Sequence, residues 1–60
     1  MTNNQKAVTR LESIDISAFE DNDTVYVDID GTKLEIAEYE INFQAREYDK
    51  AIAEDPNFFG

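Results

Sequence analysis

Carboxylates dominate the side chains that could do chemistry here. Fourteen Asp and Glu face five Lys and Arg in a chain of sixty residues, a net charge of −9. The run Asp28-Ile29-Asp30-Gly31 resembles the centre of a calcium-binding loop. With Gly31 at the sixth loop position, the first falls on Tyr26 and the twelfth on Ala37. Those positions need an acidic ligand and a bidentate Glu, so both anchors fail and no metal site is expected. Paired carboxylates can also act as acid and base across a substrate cleft, with one of them desolvated. A chain this short has little volume left for a cleft once its own core is filled.

Other chemistries lack their residues. There is no His and no Cys, which removes the commonest general base, the commonest transition-metal ligand, thiolate chemistry and any disulfide framework. Ser13 and Ser17 have no base of that kind to activate them. Gly31 and Gly60 are the only glycines, so no phosphate-cradling loop exists. The expectation is a protein that is not an enzyme and carries no cofactor.

Net charge of this sign also opposes direct contact with nucleic acid or anionic lipid, and it attracts basic partners. No apolar run is long enough to cross a membrane. The polar start MTNNQKAV has no signal-peptide core, and a cysteine-free chain suits the cytoplasm, the expected compartment. The acidity is concentrated. Between Arg10 and Lys33 lie seven carboxylates, from Glu12 to Asp30, and no Lys or Arg. Solubility alone could explain such a surface. The sharper expectation is electrostatic docking through Glu20, Asp21, Asp23, Asp28, Glu35, Glu40 and Glu47, with Tyr26, Tyr39, Phe58 and Phe59 as apolar anchors, since aromatic residues dominate interface hot spots.

The elements that must position these groups follow from hydrophobic period. Thr24–Ile36 carries the strongest signal. Asp30-Gly31 is the dipeptide of a type I′ turn between alternating apolar residues. A two-residue loop pairs Ile29 with Thr32, Asp28 with Lys33, Val27 with Leu34, Tyr26 with Glu35 and Val25 with Ile36. The apolar residues of both strands then share one face, as a specified register requires. Asp28 opposite Lys33 should add a favourable pair.

After residue 36 the period changes. Ile41, Ala45, Tyr48 and Ile52 mark one face of a helix over about 38–54, which Asp55-Pro56 should end. Arg46–Asp49 and Glu47–Lys50 are spaced for ion pairs within it. Glu40, Glu47 and Glu54 stand about 10 Å apart along it, a row that could imitate phosphates. A competing reading takes Thr32–Glu35 as a capping box and starts the helix near Lys33. The hairpin is preferred because its register agreement uses more residues. Residues 11–19 fit either a strand or a helical face, and a third strand over about 13–19 is favoured. Glu20-Asp21-Asn22-Asp23 reads as a turn. Residues 1–8, polar and without period, read as a flexible arm ahead of a single acidic domain over 9–60.

The predicted fold class is therefore α+β: a small antiparallel sheet, with a hairpin at 24–36 and a third strand at 13–19, packed by one C-terminal helix. Leu11, Ile14, Ile16, Val25, Val27, Ile29, Leu34, Ile36, Ile41, Ala45, Tyr48 and Ile52 are the expected core. The predicted function is that of an inhibitor or adaptor on the basic surface of a larger protein. One form of it is a nucleic-acid mimic against a nucleic-acid-binding enzyme, the kind of short acidic chain common among phage and mobile-element regulators. The alternative is an assembly module or homodimer whose acidity only confers solubility.

Overall fold

The computed structural model describes residues 1–59; Gly60 lies outside the described residues. The element order is α1 (Asn3–Ser13), β1 (Ser17–Asp21), β2 (Thr24–Ile29), β3 (Thr32–Glu35) and α2 (Glu38–Glu54). The three strands form one antiparallel meander, β1-β2-β3. The α+β class, the hairpin and the C-terminal helix over 38–54 are as the sequence predicts.

The hairpin register is Tyr26↔Glu35, Val27↔Leu34, Asp28↔Lys33 and Ile29↔Thr32. Ile36 extends it by donating its N–H to the Val25 carbonyl at 3.0 Å. Asp30 and Gly31 both have positive φ, 52° and 83°, as a type I′ turn requires. The competing reading with a helix from Lys33 is thereby corrected, because β2 claims Thr32–Glu35 by this ladder. The expected Asp28–Lys33 ion pair does not form. Asp28 Oδ1 instead accepts the Gly31 N–H at 3.0 Å and braces the turn.

The N-terminal segment departs most from expectation. Residues 1–8 are not an arm: they build most of α1. Thr2 accepts from the Gln5 N–H while the Gln5 side chain accepts from the Thr2 N–H, a reciprocal capping box. Ala7 and Leu11, four apart, are buried, and Val8 packs beside them. The helix ends with Ile16 donating to the Leu11 carbonyl and Asp15 donating to the Glu12 carbonyl, a Schellman motif with Asp15 at φ 65°. Ile16 packs onto Leu11 across that turn.

Glycine is the usual residue at this left-handed position, and a carboxylate there also meets the negative end of the helix dipole. Asp15→Gly is therefore expected to stabilise the protein by up to about 1 kcal/mol. A urea titration should show a higher midpoint at unchanged slope.

The third strand runs from Ser17 to Asp21, later than the expected 13–19. Leu11 to Ser13 are helical, and Asn22-Asp23, both at positive φ, form the reversal by themselves, releasing Glu20 and Asp21 into the strand. Its register is Ser17↔Asp28, Ala18↔Val27, Phe19↔Tyr26, Glu20↔Val25 and Asp21↔Thr24.

Two small clusters make the core. Ala7, Val25 and Ile41 join α1, β2 and α2, while Leu11, Ala18 and Val27 join α1 to the sheet, with Ile36 packed on both. Helix α2 rests mainly on α1 and reaches the sheet through Ile41. Ile14, Ile29 and Leu34, all expected in the core, are exposed. Ile14 is the helix C-cap, and no helix covers the β3 side of the sheet.

Helix α2 begins without a side-chain cap, since Ala37 occupies the N-cap in extended conformation. Ala37→Ser would accept from the first-turn amides and form a capping box with Glu40 at N3. The expected gain is about 0.5–2 kcal/mol. That corresponds to a rise in Tm of about 4–8 °C per kcal/mol for a domain of this size, readable by thermal circular dichroism.

Candidate functional site

Both helices lie on one side of the sheet, α1 against Val25 and Val27 and α2 against Val25 through Ile41. The alternation of β-strand side chains therefore leaves the opposite face open. That face carries Ser17, Phe19 and Asp21 from β1, Thr24, Tyr26 and Asp28 from β2, and Lys33 and Glu35 from β3. The Phe19↔Tyr26 register brings the two rings together at 5.4 Å between centroids, 23° from parallel. The Lys33 ammonium sits 4.6 Å from the Tyr26 centroid and 6.0 Å from that of Phe19. This is cation–π geometry, and Lys33 makes no ion pair with Asp28. Asp21, Asp28 and Glu35 stand around this aromatic centre, all exposed.

The end of the sheet where β1 turns into β2 continues the negative surface. Asn4 Nδ2 donates to Glu20 Oε2 at 2.8 Å and to the Asp23 carbonyl at 3.2 Å, fastening α1 to the turn. Beside it, Asp23, Glu35 and Glu38 line an open cleft of about 420 Å³ together with Asn3, Asn4 and Asn42. Carboxylates and amides can bind cationic or hydrogen-bonding groups there. No group of three or more acidic side chains is arranged to hold a metal ion among the described residues.

Charge pairing is sparse. Among the described residues there is one ion pair, Lys6 Nζ to Asp49 Oδ1 at 2.9 Å. It replaces the expected Arg46–Asp49 pair, and Glu47–Lys50 does not form either. Asp49 turns toward α1, while Arg46 points away on the outer face of α2. The remaining thirteen carboxylates have no cationic partner in contact.

The helical row does not form one free face. Glu40 is half-buried and accepts from Gln44 Nε2 at 3.1 Å. Glu47 is half-buried in the groove it shares with Arg10, and Glu54 lies at the end of that groove. The row is interrupted by these neighbours, whereas Asp21, Asp28 and Glu35 on the sheet are all exposed and without a cationic partner in contact.

The anchors scatter. Tyr26 lies at the centre of the open face. Tyr39, 77% exposed, lies in the first turn of α2 and not on a strand of the open face. Phe59 folds back and stacks on Tyr48 at 4.6 Å, and Phe58 meets Phe59 edge-on while staying exposed. Sequence reasoning passed over Phe19 as an anchor. Its only signal was a position two residues beyond Ser17 in an unregistered strand; once Ala18 is known to face Val27, Phe19 must face outward beside Tyr26.

No helix among the described residues is long and apolar enough to cross a membrane. Searches against family models, curated proteins and solved structures returned no match for this chain.

Proposed function

We propose that this chain is a non-enzymatic binding protein that docks through its open sheet face onto a basic surface of a larger protein, acting as an inhibitor or adaptor. The observation that carries the reading is the composition of that face. A stacked aromatic pair, Phe19 exposed and Tyr26 half-buried, lies at its centre, and the carboxylates of Asp21, Asp28 and Glu35 surround it without cationic partners. Aromatic rings supply rigid apolar contact area, and unpaired carboxylates supply long-range attraction for Lys and Arg. Lys33 already lies over the rings, which is where a partner's Arg or Lys would be stabilised in the same way.

Asp23 extends the acidic surface into the β1–β2 turn, and Glu20 stands at the same end of the sheet on its helix side. A basic groove that normally holds phosphates fits such a surface, so a nucleic-acid-binding enzyme is the favoured partner class, with competition against its substrate as the mechanism. Affinity capture from the native host at low and high salt tests this. Basic partners that are released as salt rises support the reading. Captured partners that are neither basic nor salt-sensitive overturn it.

A second reading is an assembly module. It is favoured by a separate observation, the exposed β3 edge and the uncovered Ile29 and Leu34 beside it.

A further inference from the structure

Strand β3 is the open edge of the sheet, and all four of its residues are exposed. The ladder determines what that edge offers. Ile36 donates to Val25, so the backbone groups of Ile36 point inward to β2. In an antiparallel ladder the direction alternates, so Leu34 and Thr32 also point inward. The N–H and C=O groups of Lys33 and Glu35 therefore point outward, unpaired by the sheet. Their side chains lie on the open face, while Leu34, 46% exposed, lies on the helix side next to Ile29, 52% exposed, beyond the reach of α1.

We propose that the β3 edge pairs with the β3 edge of a second copy of this chain, antiparallel and centred on Leu34, to give a two-fold symmetric dimer with a continuous six-stranded sheet. This register follows from three independent requirements. Hydrogen bonding across the new seam needs residues whose backbone groups point outward, and it brings Lys33 opposite Glu35 of the second copy and Glu35 opposite its Lys33. Face matching needs Leu34 to meet Leu34 on the helix side, where each is uncovered. Charge matching needs opposite signs across the seam, and this register supplies two such pairs. Centring on Lys33 or on Glu35 would oppose like charges, and an odd-numbered slip would place Leu34 on the wrong face.

Charged residues in an edge strand normally deter pairing. Lys33 and Glu35, two apart on one face, deter most strands but complement their own copy. The β1 edge has no such match, because its outward-pointing residues are Ala18 and Glu20. The inference stands apart from the basic-partner reading. Two chains of net charge −9 repel, so the dimer is favoured at raised ionic strength, whereas binding to a basic surface is weakened by it.

Sedimentation equilibrium of the full chain at raised salt, over a wide concentration range, tests the pairing. A monomer–dimer equilibrium is expected. Lys33→Glu and Glu35→Lys should each weaken it by at least about tenfold, since each turns two attractive pairs into repulsive ones. The double variant K33E/E35K restores opposite signs across the seam and should recover dimerisation to within a few-fold. Amide exchange of the unaltered protein gives a reading that needs no variant: the Lys33 and Glu35 amides should become protected as concentration rises. A chain that stays monomeric throughout overturns the proposal. So does a dimer indifferent to K33E, or one in which the Lys33 and Glu35 amides exchange equally fast at all concentrations.

Discussion

Ile41→Ala should cost the chain about 2–5 kcal/mol of stability, read in a urea titration as a fall in the midpoint. Ile41 is the residue through which α2 reaches the sheet, packing with Ala7 of α1 and Val25 of β2. Truncating a buried Ile to Ala costs about 2–5 kcal/mol, the sum of lost transfer energy and an unfilled cavity. A domain of this length has only about 3–9 kcal/mol in total, at the usual stability per residue. The loss is therefore comparable with the whole. Val25 is fully buried and Ala7 shows no exposed surface, so the site has little freedom to collapse around the cavity. Ile52→Ala provides the comparison. Ile52 is half-buried near the other end of α2 and belongs to neither core cluster. Its truncation should cost clearly less in the same urea titration. Equal losses for the two would mean that α2 is held along its whole length and not chiefly at Ile41.

The β2–β3 hairpin and α2 were legible because two signals coincided in each. Asp30-Gly31 set the turn while the alternation on either side agreed about the buried face. Ile41, Ala45, Tyr48 and Ile52 set a helical stripe while Pro56 set its end. Helix α1 carried the same kinds of signal in quieter residues. Its cap is Thr2 with Gln5, and its deepest contact is Ala7, a side chain too small to stand out as a hydrophobic marker. The third strand was displaced because Ile14 and Ile16 look like one alternating run. A left-handed residue, Asp15, separates them into a helix end and a strand approach.

The exposed Ile29 and Leu34 show a different limit. Alternation tells which face of a strand is apolar, but whether anything covers it depends on where the helices lie. The open face was half legible for the same reason. Tyr26, Asp28 and Glu35 could be placed on it from the hairpin alone. Phe19 could not, because its position depends on the β1 register, and Lys33 was assigned to Asp28 because a cross-strand charge pair is the simpler expectation. In the folded chain the ammonium lies over the two rings, and Asp28 is engaged by the turn.

The basic-partner reading makes its largest demand on Tyr26 and Asp21. Once a partner has been captured, Tyr26→Ala should weaken binding by about thirtyfold or more, the effect of losing about 2 kcal/mol at an interface hot spot. Tyr26 lies at the centre of the open face, flanked by Phe19 on β1 and Lys33 on β3. Asp21→Lys should mainly slow association and reduce the salt dependence, because it removes one attractive charge and adds a repulsive one at the rim. Glu12→Lys makes the same change in net charge on α1, on the other side of the sheet. It should leave the association rate nearly unaltered if the contact is local to the open face. Neither Tyr26 nor Asp21 belongs to β3, so loss of binding in these variants is separable from loss of strand pairing at Lys33 and Glu35. Thermal melts of each variant should precede the binding measurement, since Tyr26 is half-buried and contributes to the sheet. With folding intact, an undiminished affinity in Tyr26→Ala would remove the open face as the contact. Equal slowing by Asp21→Lys and Glu12→Lys would reduce the acidity to a diffuse field with no oriented docking surface.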